Sequence, residues 1–113
     1  MHTRHIACAA AIAAALTAVP AEAKYKYAKA TCYDLTGKTA SGKFTAPGTA
    51  AHNFLPFGTK IRLVGKQAGP AGRRRYVIRD TGSALYDGHF DLWAPKGYCT
   101  AFGVRTIKYR FGW

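Results

Sequence analysis

Three of the chain's few carboxylates fall in one stretch, RDTGSALYDGHFDLW at positions 79–93. The 113 residues carry 17 Lys and Arg against 5 Asp and Glu, a formal net charge of +12. Asp80 follows the apolar-alternating segment RYVIR, and Asp91 lies between Phe90 and Leu92, so period-2 alternation points it away from them. A carboxylate set into a small strand needs a hydrogen-bond partner or acquires a raised pKa. Asp80 and Asp91 are therefore candidates for general acid–base chemistry, with structural hydrogen bonding as the alternative.

Other polar residues in the chain predict less specific roles. Asp87-Gly88 is typical of a two-residue turn, which needs no further role. His52 is a candidate for proton transfer near neutral pH, although a single histidine is more often structural. The cysteine and histidine spacings do not suit a metal site, and we expect neither a metal nor a cofactor.

The first 23 residues are typical of a signal peptide. MHTRH is a short cationic start, an apolar run follows, and Ala21-Glu22-Ala23 supplies a small-x-small cleavage pattern. We therefore expect an exported protein of residues 24–113, in the periplasm or cell envelope or secreted. No later apolar run has the length of a membrane span, so we expect no transmembrane segment.

Cys32 and Cys99 are the two cysteines that follow the predicted leader. An even pair in a small exported domain predicts one disulfide. Because the closed loop is long, the chain-entropy estimate of its stabilisation is about 4 kcal/mol.

The excess of Lys and Arg over Asp and Glu favours binding to anionic polymers, through an electrostatic attraction that weakens as the salt concentration rises. For an exported protein these are cell-wall polymers and lipid head groups rather than nucleic acid. The run Arg73 to Arg75 is a candidate for such contact, and a solvated turn is the alternative. Charge that serves solubility alone is a further alternative. We expect a monomer.

Short segments in which apolar and polar residues alternate, separated by Gly-rich turns, run through residues 24–113 and predict strands. The clearest is TKIRLV from Thr59, which we expect to form a hairpin with Arg74 to Arg79. APKGYCTAFG, from Ala94, predicts a short helix or turn. This pattern indicates one all-β domain, a small barrel or sandwich. Closure into a barrel would leave no exposed strand edge.

Several ordered motifs resemble those of known envelope domains. TAAHNFLPFGTKIRL, from Thr49, and TASG, from Thr39, resemble the signature of RlpA-like double-psi β-barrel proteins. DTGSALYDGHFDLW, from Asp80, resembles the three-aspartate (3D) domain of MltA-type lytic transglycosylases, and HFD is similar to the corresponding site in expansins. AFGVRTIKY, from Ala101, resembles the closing strand of the RlpA-like family. The resemblance implies a small six-stranded double-psi β-barrel with one short helix or turn.

The resemblance also implies a function, the cleavage of peptidoglycan glycan strands by lytic transglycosylation, and the expected partner is peptidoglycan or another anionic cell-wall glycan. The two families differ in their functional aspartate: Asp80 matches that of RlpA-type enzymes, and Asp91 matches the acid/base of MltA-type enzymes. We expect Asp91 to be the acid/base and Asp80 to hold its geometry and contact sugar. The further substrate-binding residues that we predict are His52, Arg79, Thr81, Gly82 and His89.

The chain also departs from both patterns. Lys43 stands where RlpA-type proteins have a glutamate, and His52 and Asn53 stand where the 3D pattern has its first aspartate. A non-catalytic, expansin-like wall-binding or wall-loosening barrel is therefore the alternative. An aspartic protease is disfavoured because DTGS occurs once, so that such an enzyme would have to dimerise. A membrane-active cationic protein would need an amphipathic helix, and none is visible.

Overall fold

The computed structural model describes residues 24–82, 85 and 87–113; the predicted signal peptide, residues 1–23, lies outside the described residues. It contains six strands, a single-turn 3-10 helix at Pro70–Gly72 and one short α-helix. The strands are β1 (Lys26–Tyr33), β2 (Thr49–Ala51), β3 (Lys60–Val64), β4 (Arg75–Asp80), β5 (Phe90–Trp93) and β6 (Arg105–Phe111), and the helix α1 is Tyr98–Phe102. Within the described residues, no helix is long and apolar enough to cross a membrane.

The strands close into a barrel in the order β1-β5-β2-β4-β3-β6. The pairs β1/β5 and β2/β4 are parallel, and the other four are antiparallel. The first three strands and the last three are related by an internal symmetry: replacing β1 by β4, β2 by β5 and β3 by β6, and the reverse, leaves the set of pairings and their senses unchanged. Every pairing joins one half of the chain to the other, and the two parallel pairs interlock the halves. The predicted six-stranded barrel with one short helix is confirmed.

Alternation along the strands fills the barrel interior. Fully buried apolar residues come from every strand. β1 and β2 contribute Ala30 and Ala50, and the other four strands contribute larger side chains: Ile61, Leu63, Tyr76, Ile78, Phe90, Leu92 and Ile107. Burying each such side chain stabilises the fold by about 1.5–3 kcal/mol. Because the interior of a barrel of this size is packed with side chains, a site for a polymer must lie on the outside.

A disulfide between Cys32 and Cys99 joins β1 to α1 across a sequence separation of 67, and the predicted bridge is confirmed. The helix is short because glycines flank it. Gly97 precedes it with φ +104° and Gly103 follows it with φ +60°, both in the left-handed region that favours glycine.

Candidate functional site

The two candidate acids lie in one row across four strands. Thr31 of β1 pairs with Asp91 of β5, Asp91 pairs with Ala51 of β2, and Ala51 pairs with Asp80 of β4. We call Thr31, Asp91, Ala51 and Asp80 the acid row. Since neighbouring strands lie about 4.8 Å apart, two strand spacings, at most about 10 Å, separate the Cα atoms of Asp80 and Asp91. The barrel therefore brings together two residues that the sequence separates by a loop.

A β-bulge in β4 places Asp80 in this row. Ala50 pairs with Ile78, whereas its neighbour Ala51 pairs with Asp80, so Arg79 is an extra residue on β4. Ile78 is fully buried in the core, and plain alternation would turn Asp80 the same way as Ile78. The bulge shifts the register by one residue and aligns Asp80 with Asp91 instead.

Three donors fix the Asp80 carboxylate. The Tyr33 hydroxyl donates to Oδ2 at 3.1 Å, and the backbone N–H groups of Ala40 and Thr81 donate to Oδ1 at 3.0 and 2.9 Å. Ala40 belongs to the TASG loop, whose next residue, Ser41, donates its N–H to the Arg79 carbonyl at 3.1 Å. Asp80 therefore ties this loop and the end of β1 to the end of β4.

Asp91 has a different environment. Its Oδ1 accepts one hydrogen bond, from the Thr31 hydroxyl at 2.9 Å. Burial raises the pKa of Asp91 above its ordinary value of 3.8, and the charge of Asp80 raises it further, while the Thr31 hydrogen bond and His89 act against the shift. The same row thus holds one carboxylate that three donors orient and one that is partly desolvated and has a raised pKa. Such an asymmetry suits a general acid beside a positioning carboxylate.

Tyr33 is part of the site, and sequence reasoning missed it. Its hydroxyl contacts Asp80, and burial raises the pKa of Tyr33 well above 10.0, with the charges of Asp80 and Asp91 adding to the shift. The phenol therefore stays a neutral hydrogen-bond donor to Asp80. Tyr33 lies two residues after Thr31, but only the parallel pairing of β1 with β5 shows that both face the acids.

The loop after Asp80 is held by Asn53, a second residue that sequence reasoning missed. The Asn53 amide donates to the Gly82 carbonyl at 2.6 Å, and its oxygen accepts from the Gly82 N–H at 3.0 Å. A Cβ at Gly82 would lie 3.0 Å from Leu85 Cδ1, so this position favours glycine. Thr81 is exposed beside the acid row. The substrate-binding roles of Gly82 and Thr81 stay predictions, and the Gly82 backbone already has a structural role.

Both ring nitrogens of His52 are engaged within the fold. Nδ1 accepts from the backbone N–H groups of Phe54 and Leu55, each at 3.1 Å, and Nε2 donates to the Gly88 carbonyl at 2.9 Å. The residue is buried, and burial, with a smaller effect of the nearby His89, lowers its pKa below 6.5 against the raising effect of the Gly88 carbonyl. The geometry thus favours a neutral His52 that joins two loops; its predicted contact with substrate stays a prediction.

Asp87 lies in a turn, as predicted, but the turn closes one residue earlier than the Asp87-Gly88 pair implies: the Gly88 N–H bonds to the Leu85 carbonyl at 3.2 Å, and Gly88 has φ +83°. Asp87 Oδ1 accepts from the backbone N–H of His89 at 3.1 Å and from the His89 ring, and these hydrogen bonds lower the pKa of Asp87. His89 is therefore held at the rim of the acid row, where its charge also acts on Asp91.

Arg79 directly precedes Asp80 in β4, and its side chain lines a groove together with Arg73, Arg75 and Trp113. A predicted substrate contact at Arg79 would therefore involve this groove. Among the residues that the structure describes, no group of three or more His, Cys, Asp or Glu side chains is arranged to hold a metal ion.

Fold and site together define a closed, mixed six-stranded β-barrel with a row of two carboxylates on one face. A scan against models of protein families gives no match to this chain, and a search of curated proteins gives none either.

Proposed function

We propose that the protein is a lytic transglycosylase that cleaves the glycan strands of peptidoglycan during cell-wall remodelling, and that it acts after export to the cell envelope. The observation that carries this proposal is the raised pKa of the partly buried Asp91 beside an Asp80 that three donors hold in place. The resemblance of the TASG, TAAH and DTG segments to RlpA-like and 3D barrels supports the same assignment.

In the proposed reaction, Asp91 first acts as an acid. Its proton passes to the glycosidic oxygen as the bond from that oxygen to the anomeric carbon breaks. The resulting carboxylate then takes the proton of the sugar's own 6-hydroxyl as that oxygen bonds to the anomeric carbon. The product is a 1,6-anhydro sugar, the acid is regenerated, and water is not consumed. One carboxylate with a raised pKa serves both steps, whereas hydrolysis usually requires two placed for the task.

Asp80 and Tyr33 have positioning roles in this proposal. Asp80 holds the TASG loop and the Tyr33 hydroxyl, and its charge raises the pKa of Asp91. Tyr33, neutral and donating to Asp80, is proposed to accept a hydrogen bond from a sugar hydroxyl. Thr81 and His89, at the rim, are proposed to contact substrate.

One observation favours a second function, a non-catalytic wall-binding or wall-loosening barrel. Lys43 is exposed on the TASG loop, where the RlpA-like pattern has its glutamate. The same fold and basic surface would then bind glycan without cleaving it.

Incubation of the purified, oxidised protein with peptidoglycan sacculi, followed by mass spectrometry of the soluble products, tests the proposal. Anhydro-ended fragments are expected from the wild type and from Asp34→Asn, a matched change at a carboxylate outside the acid row. Asp91→Asn is expected to release at least about a hundredfold fewer of these fragments, because a loss of this size is usual when a general acid is removed. Reducing ends would indicate hydrolysis, and tight binding without fragments would establish the non-catalytic barrel.

A further inference from the structure

A second surface lies at the opposite end of the strands that hold the acid row. β2 and β4 are parallel and β5 runs against β2, so the starts of β2 and β4 and the end of β5 meet away from Asp80 and Asp91. A groove of about 600 Å³ occupies this end; its lining includes Pro47, Arg73, Arg74, Arg75, Trp93 and Tyr98. Three consecutive arginines and two aromatic rings therefore share one concave surface.

This groove continues along the barrel wall. A neighbouring groove of about 240 Å³ shares Arg73 and Arg75 with it and extends past Val77 to Arg79 and Trp113. At about 3.3 Å per residue, the segment from Arg73 to Arg79 spans about 20 Å. We call Arg73, Arg75 and Arg79 the arginine track. Its length suits several units of a linear polymer rather than one small ion.

The positive charge of the arginine track is not neutralised by carboxylates. Across residues 24–82, 85 and 87–113, the one ion pair within 4.0 Å is that of His89 with Asp87. The track is instead held by packing. The Arg73 guanidinium lies over Gly48, where a Cβ would be 3.7 Å from Arg73 Cζ, and the Arg75 guanidinium lies 5.9 Å from the centre of the Trp113 ring. Arginines placed without an acidic partner are suited to an external anion.

The aromatic residues narrow the class of ligand. Tyr98 and Trp113 are about half exposed, at 49% and 44%, and they lie along the same grooves as the arginines. Rings of this kind offer flat apolar faces to the C–H faces of sugar rings, while guanidinium groups bind carboxylates in a two-point fashion. A bare polyphosphate is disfavoured because it has no apolar face to pack against these rings. A lipid bilayer is disfavoured because a flat surface does not enter a groove.

We propose that the arginine track is a binding site for an acidic glycan strand, with carboxylates on the arginines and sugar rings against Tyr98 and Trp113. The track begins at the far end of β4 and ends at Arg79, one residue before Asp80 of the acid row. The inference does not depend on the proposed cleavage reaction.

The test measures binding of the purified protein to a hyaluronan hexasaccharide, which alternates N-acetylglucosamine with glucuronate, by calorimetry at low ionic strength. We expect binding of this probe and not of neutral chitohexaose. The triple variant Arg73→Gln, Arg75→Gln, Arg79→Gln is expected to lose at least about tenfold in affinity. The charge-matched control Lys26→Gln, Lys38→Gln, Lys66→Gln, at exposed positions off the grooves, is expected to lose less than about threefold. Tyr98→Ala is expected to lose about threefold or more in affinity for the hexasaccharide.

Several results would overturn the proposal. One is an equal loss of affinity in the two triple variants, and another is no binding of the hexasaccharide by the wild type. A third is binding of inorganic polyphosphate or of phosphatidylglycerol vesicles that depends on the arginine track and is stronger than binding of the hexasaccharide. Circular dichroism confirms that each variant is folded, and Arg→Lys replacements at the three positions provide a milder second variant, expected to fall between wild type and the glutamine variant. The sacculus assay measures cleavage and the hexasaccharide assay measures binding that depends on the arginine track, so failure of the cleavage proposal and failure of this one are distinguishable.

Discussion

The Tyr33 hydroxyl donates a hydrogen bond to Oδ2 of Asp80 at 3.1 Å, although 47 positions separate the two residues. It links the end of β1 to the end of β4, one strand from each half of the barrel. The charge of Asp91 also acts on Tyr33. A single phenol therefore joins the environments of both acids.

Tyr33→Phe is expected to lower the free energy of unfolding by about 1 kcal/mol, because Asp80 loses one of its three donors and no replacement enters the part-buried contact. Urea denaturation at neutral pH measures the change. Tyr27→Phe, at a residue that is 69% exposed, is the control and should stay within about 0.5 kcal/mol of the wild type. Equal midpoints for wild type and Tyr33→Phe would show that the hydrogen bond contributes no stability.

Asp91→Asn is expected to make the protein more stable than the wild type at neutral pH. A carboxyl whose pKa is raised in the folded state binds its proton more tightly there than in the unfolded chain, where it titrates near 3.8. The wild type therefore loses stability as the pH rises from about 3.8 through the raised pKa of Asp91. Asparagine removes this loss and keeps an oxygen for the Thr31 hydroxyl.

Denaturation of both proteins across the acidic range measures the effect. The two curves should converge below pH 3.8 and separate above it, with Asp91→Asn the more stable. Asp34→Asn, outside the acid row, serves as the matched control. A wild type that is more stable than Asp91→Asn at neutral pH would mean that the ionised carboxylate is stabilised by the fold.

Much of the fold could be predicted from local patterns. Alternation in TKIRLV and in RYVIR identified β3 and β4 and their hairpin, and the two cysteines that follow the predicted leader identified the disulfide. The Asp87-Gly88 dipeptide identified the turn, because such turns depend on the residues within them.

The arrangement of the site could not be predicted in the same way. Asp80 joins Asp91 only because Arg79 forms a bulge against β2, and a bulge depends on two paired strands rather than on either alone. Tyr33 reaches the acids only through the parallel pairing of β1 with β5, between residues about 60 positions apart. The role of Asn53 could not be predicted because it depends on contact with the Gly82 backbone, which only the folded structure shows.

Removal of the disulfide is expected to cost about 4 kcal/mol, because the bridge closes a loop of 67 positions and restricts the unfolded chain. The double variant Cys32→Ser, Cys99→Ser should unfold at a much lower urea concentration than the oxidised wild type. Reductant should shift the wild type towards the variant and leave the variant unchanged. An unchanged midpoint in the variant would show that the bridge does not stabilise the fold.

His52 is expected to be neutral, with its proton on Nε2, at pH 7, because Nδ1 accepts two backbone hydrogen bonds and Nε2 faces the Gly88 carbonyl. Its pKa lies below 6.5 in the folded state, so the unfolded chain binds the proton first on acidification. The stability that His52 contributes is therefore complete above pH 6.5 and is lost as the pH falls towards the folded pKa. Long-range proton–nitrogen NMR spectra identify the tautomer and the titration midpoint directly. A proton on Nδ1, or a titration midpoint at or above 6.5, would contradict the geometry. His52→Ala is expected to lower the free energy of unfolding by about 2 kcal/mol, because the hydrogen bonds of the ring are lost.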